Sequence, residues 1–125
     1  MNINERMAEM MGWKRLMWWL TLDEEMPCWI STNEDEVMRA EMSVRDWHPD
    51  TDLNQAMMCV RKLVELELEL YTEVDLNISP NGIDIYISKY KHGEDDGSPP
   101  LFYCLKSGNV GEEAKTICEA ILEVL

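Results

Sequence analysis

In 125 residues, 25 aspartates and glutamates stand against 11 lysines and arginines, leaving a formal charge of −14 and a pI near 4.4. So acidic a chain lacks the clustered basic footprint of a phosphate-backbone binder, which argues against direct nucleic-acid binding. No apolar run approaches the roughly 18–20 residues needed to span a bilayer. At 46% hydrophobic residues the chain has material for a core, and its length is that of one domain over 1–125.

The first helix is expected from Asn2 or Asn4 as cap, with Ile3, Met7, Met10 and Met11 at helical spacing and Gly12 ending it. This opening, with Glu5 and Glu9, has no secretory apolar region, so the expected compartment is the cytoplasm. WKRLMWWLTL then reads as extended. DEEMP (23–27) supplies a turn and CWIST a returning strand, which makes a hairpin. Residues 33–52 have no sustained period and read as a long loop with a short strand near Met42–Val44.

A second helix is capped by Asp50, Thr51 or Asp52. It presents Leu53, Ala56, Met57, Val60, Leu63 and Val64 on one face and ends near Glu67–Glu69. From Leu66 to Ile78 the even positions are apolar or Thr72, while the odd ones are polar or aromatic, a strand period that is expected to take over near Tyr71. Ser79-Pro80-Asn81-Gly82 turns the chain, and Ile83, Ile85 and Ile87 resume the alternation, giving a hairpin of 71–78 with 83–91. After the loop HGEDDGSPP comes a short strand, LFYCLK. A last helix runs from about Gly111 with Ala114, Ile117, Cys118, Ile121, Leu122 and Leu125 inward. The expected fold class is α+β: a mostly antiparallel sheet of about 4–5 strands covered by three helices.

MNINERMAEMMGW, HPDTDLNQAMMCVRKL and EEAKTICEAILEVL together resemble the phage ABA sandwich domain family, small proteins encoded by phages and prophages. The resemblance implies an α/β/α sandwich, a phage origin and residence in the host cytoplasm. It brings no catalytic residues. DEEMP and NEDEVMRAEM depart from the family pattern.

The chemistry-bearing residues are sparse. His48 and His92 both fall in expected loops, and no G-x-S-x-G, P-loop or H-E-x-x-H occurs, so a non-enzyme is expected. Cys28, Cys59, Cys104 and Cys118 are widely spaced, with no C-x₂-C, and read as reduced core thiols. The run from Asp75 echoes a calcium loop but has Pro80 at its sixth position and Tyr86 at its twelfth. Glu94-Asp95-Asp96 reads as a solvated run, so neither metal nor cofactor is expected.

Trp13, Trp18, Trp19, Trp29 and Trp47 all lie in the first half. Adjacent Trp18 and Trp19 on a strand must face opposite sides, so one points outward, and exposed tryptophan is a favoured interface anchor. Residues 23–52 hold ten acids against Arg39 and Arg45, and residues 65–75 hold five acids and no base. Such density keeps a protein soluble, and it also attracts a basic surface.

The expected binding residues are therefore Trp18, Trp19, Glu24, Glu25, Glu34, Asp35 and Glu36, and the charge calls for a partner with a basic surface; the resemblance to phage proteins implies that this partner is a host protein, a component of antiviral defence. On this reading the protein is an inhibitor that mimics nucleic-acid charge. The alternative is a protein that sequesters a nucleotide signal by tryptophan stacking, with Arg6, Lys14, Arg15, Arg61 and Lys62 as its bases. A third reading is a self-associating, homo-oligomeric virion accessory.

Overall fold

The computed structural model describes residues 2–19, 21–66, 70–91 and 99–125. In chain order its elements are α1 (Ile3–Met10), β1 (Lys14–Trp19), β2 (Glu25–Thr32), β3 (Met38–Ser43), α2 (Leu53–Glu65), β4 (Leu70–Ser79), β5 (Gly82–Lys91), β6 (Phe102–Gly108) and α3 (Glu113–Val124). The α+β class, the antiparallel pairing and the three helices match expectation. The sheet does not. Instead of one sheet of 4–5 strands there are two of three strands each, β1-β2-β3 and β4-β5-β6. Every pairing joins strands that are consecutive in the chain, and β3 and β4, separated by α2, do not pair. Contacts gather correspondingly into two compact units, residues 1–48 and 49–125.

In the first unit, Asn2 caps α1: its side chain accepts from the Glu5 amide at 2.9 Å and its side-chain amide donates to the Glu5 carboxylate at 3.2 Å. The helix ends in a Schellman motif. Trp13 N–H donates to Ala8 O at 3.0 Å and Gly12 N–H to Glu9 O at 2.9 Å, with Gly12 at φ +81°. This exit turns the buried Trp13 inward to meet the buried Trp47 edge-on, ring centroids 4.7 Å apart. Trp47 donates its indole N–H to Asn4 O at 2.8 Å, tying the end of the unit back to its first helix. With Met7, Ala8, Cys28, Trp29 and Ile30, the pair makes the unit's core.

The segment 33–52, expected as a long loop with a short strand near Met42–Val44, contains β3, which is longer and begins earlier, at Met38. Asn33 organises the turn before it, its side chain accepting from the Asp35 and Val37 amides at 3.0 and 2.9 Å. Pairing with β2 then shifts register between Trp29 and Ile30, which leaves Glu41 as an extra residue, held by the Ser31 hydroxyl at 2.6 Å. That bulge breaks the alternation by which β3 would have been recognised in the sequence.

In the second unit, Asp52 caps α2 by accepting from the Gln55 amide at 3.0 Å. The helix ends at Glu65, with Leu66 as its C-cap donating its amide to Lys62 O at 3.0 Å, so it stops short of the expected end at Glu67–Glu69, which lies outside the described residues. The hairpin turns through Pro80-Asn81, with Ser79 paired to Gly82. Gly82 has φ +134°, and a Cβ there would collide with Gly108 O. One face of β4-β5-β6 carries Ile83, Ile85 and Ile87 with Cys104 beside them, and it is covered by α3, with α2 packing on α3 and β4. From α3 the buried Ala114, Ile117, Cys118, Ala120, Ile121 and Val124 complete the core. Leu125, expected inward, is exposed, as are Leu53 and Val64 of α2.

All four cysteines are free and buried, and burial pushes every thiol up from its ordinary 9.0, Cys59 to about 12. A thiol held neutral by the fold stabilises it below the unfolded-state value. The contribution is lost as pH rises above 9.0 towards the folded value. Thermal melts should therefore fall in alkali, and Cys59→Ala should flatten that fall relative to wild type. An unchanged slope in the variant would refute the thiol's role.

Candidate functional site

β1 is an edge strand with β2 as its single neighbour, and it is the least buried strand of the first unit. Leu16, Met17 and Trp19 are exposed, Trp19 by 60%, and Trp18 is half-buried. The alternation separates the tryptophans: Trp18 pairs with Met26, and Trp19 faces the other way beside its partner Glu25. Glu24 follows in the same exposed turn, its amide bonded to the Thr21 hydroxyl at 3.1 Å. Trp19, Glu24 and Glu25 thus form one cluster, an exposed indole with carboxylates beside it.

Glu34, Asp35 and Glu36 do not join them. They occupy the β2–β3 turn at the far end of β2, and the seven steps from Glu25 to Thr32, at about 3.4 Å each, put the two acidic clusters roughly 24 Å apart. All three are exposed, and Glu36 holds a left-handed φ of +60°, imposed by the turn that Asn33 organises. Lys14 and Arg15, both exposed, begin β1, so the edge strand runs from basic to aromatic.

The other tryptophans serve the core. Trp29, 5% exposed, is paired to Arg15 and Met42, and its indole N–H is buried with no acceptor. It lines a recess of about 110 Å³ with Asn2, Asn4, Glu5, Val44 and Trp47.

A wider open recess of about 450 Å³ lies in the second unit, at the hairpin turn and the start of α3. Its chemistry is already paired. Lys106 sits 2.9 Å from Glu123 and 3.3 Å from Glu119, Lys115 is 3.8 Å from Glu119, and the Ser107 hydroxyl donates to Asp84 at 2.5 Å. Glu123 also accepts from the Cys104 thiol at 2.9 Å. The bonds from Cys104 and Lys106 lower its carboxyl below the ordinary value, while burial and the same carboxylate push Cys104 up to about 11. A thiol bonded to a carboxylate is the reverse of an activated nucleophile.

His48 is exposed at the end of the first unit, whereas His92 and Glu94-Asp95-Asp96 lie outside the described residues. Among the described residues no three His, Cys, Asp or Glu side chains converge as a metal site requires, and no helix is long and apolar enough to cross a membrane.

The sequence reading missed the second face of β4-β5-β6. Its signal was present in the odd positions of β4, Tyr71, Glu73 and Asp75, and in the even positions of β5, Asp84, Tyr86, Ser88 and Tyr90. The chain matches no protein-family model, and no curated protein or solved structure is significantly similar to it.

Proposed function

We propose that this is a non-enzymatic phage accessory protein, related to the ABA sandwich proteins it resembles, which inhibits a host defence protein by engaging its basic surface. The observation that carries the reading is Trp19, 60% exposed on an edge strand with Glu24 and Glu25 next to it. An exposed indole buries much area with few rotors to freeze, and the adjacent carboxylates steer a cationic partner towards it. The second acidic cluster, Glu34, Asp35 and Glu36, extends the footprint along β2 by a distance comparable to several phosphates of a nucleic-acid strand.

The small-ligand alternative is less well supported. Ligand chambers run to about 300–1,000 Å³, and the recess that Trp29 and Trp47 line is about 110 Å³, too small for a nucleotide.

Affinity capture from host lysate at low and at high salt tests the proposal. Trp19→Ala should weaken retention of the captured protein by about tenfold or more, and reversing Glu34, Asp35 and Glu36 to lysine should abolish the salt sensitivity. Retention indifferent to both changes would defeat the reading. Sedimentation of the free protein separates it from the self-associating alternative.

A further inference from the structure

All four tyrosines of the chain lie on one face of one sheet. The register puts Tyr71 opposite Tyr90, with ring centroids 5.2 Å apart and planes within 18°. Tyr86 and Tyr103 are stacked at 5.8 Å and 28°. Ser88 lies between the pairs, two residues from Tyr86 and Tyr90 and directly opposite Tyr103, and it is only 2% exposed. Tyr103 and Leu105 are each 63% exposed on the edge strand β6. This is the face that α3 does not cover, since α3 lies against the isoleucines and Cys104 on the opposite side.

The same face carries Glu73, Asp75 and Asp84, each alternating with the ring positions, and no lysine or arginine among the described residues. Lys89, Lys91 and Lys106 all fall on the helix-covered side by register. Aromatic faces bordered by carboxylates present negative potential twice over, from the ring quadrupoles and from the acids. Such a surface repels nucleic acid and an anionic membrane. It also repels a second copy of itself, which would set acid against acid. It complements a cation.

We propose that this tyrosine face docks an arginine-rich basic segment of a protein partner. Arginine is specified over lysine because a planar, weakly hydrated guanidinium stacks on an exposed ring and forks to a carboxylate at once, whereas an ammonium is a strongly hydrated point charge. Tyr103 and Tyr86 supply the ring planes, and Asp75, directly across from Tyr86, together with Glu73 supplies the carboxylates. The surface belongs to the second unit and is separate from the Trp19 cluster, so either can fail without the other.

Titration calorimetry of the full chain with a short oligoarginine peptide and with oligolysine of equal length tests it. Oligoarginine should bind roughly fivefold tighter than oligolysine. Tyr103→Ala should erase that preference and Tyr103→Phe retain it, because the ring is what matters. Leu105→Lys, a second exposed change, should weaken both peptides, as should Glu73→Gln with Asp75→Asn, while Val110→Ser, an exposed change in the connection between β6 and α3, changes nothing. Equal affinity for the two peptides, or a preference that survives Tyr103→Ala, would overturn the proposal in favour of undirected charge attraction. Loss with Trp19→Ala would assign the peptide to β1. A dimer in sedimentation that Tyr103→Ala dissolves would overturn it in favour of a second copy.

Discussion

Trp47→Ala is expected to unfold residues 1–48 while residues 49–125 stay folded. Trp47 is buried, meets Trp13 edge-on at 4.7 Å and donates to Asn4 O at 2.8 Å, so it joins the last turn of the first unit to the helix that begins it. Truncating a buried tryptophan costs about 3–5 kcal/mol. A unit of this size, with a core of three indoles and a few aliphatic side chains, has little more than that in total. Limited proteolysis should then cut throughout the first unit and spare α2 to α3. Trp47→Phe keeps an aromatic edge and loses the part-buried hydrogen bond to Asn4 O, and should cost about 1 kcal/mol for that bond. Equal protease sensitivity of both units in the alanine variant would show that they fold as one cooperative body.

The second large effect is expected at Gly108. It faces the first turn of α3 so closely that a Cβ would collide with Thr116 Oγ1, and it sits opposite Ile83 in the β5–β6 ladder, so the backbone cannot step aside. Overpacking of a tight interface costs about 1–3 kcal/mol, and a clash against both Cβ and hydroxyl of one buried threonine belongs at the upper end. For a domain of this size, Gly108→Ala should lower the melting temperature by roughly 10–20 °C. Thr116→Ala removes the hydroxyl and the methyl that the new Cβ meets. It also removes the bond from Thr116 Oγ1 to Glu112 O at 2.8 Å, so alone it should destabilise mildly. The double variant should recover part of the Gly108→Ala loss. Strictly additive losses would show that the close approach is not what makes glycine necessary.

Tertiary pairing follows local chemistry in the parts that were legible beforehand. Asn2 and Asp52 cap the first two helices because their short side chains reach an amide three residues on, a contact that needs no tertiary partner. The hairpin β4–β5 is written in alternation and in a turn with proline and glycine, both of which act within a few residues. Only the end of β3 was legible, as a short strand near Met42–Val44, for an equally physical reason: the bulge at Glu41 slips the register and shifts the apolar positions off a period of two. The division into two sheets was also out of reach, because alternation fixes which face of a strand is apolar and not which neighbour it pairs with.

The candidate surfaces divide the same way. Adjacency alone determined that Trp18 and Trp19 point to opposite sides, since successive strand residues must. The edge position of β1, decided by pairing, left Trp19 as the exposed one and put Glu25 beside it. The acidic residues were countable in the sequence, but the length of β2 split them into two clusters. The tyrosines were visible as four letters spread from 71 to 103. Only the register of three strands gathers them, on the side opposite the isoleucines that α3 covers. Local propensity and alternation act over a few residues and are read directly from the chain. Which strand lies at an edge, and which face a helix covers, depends on partners distant in sequence, and the tertiary structure alone decides it.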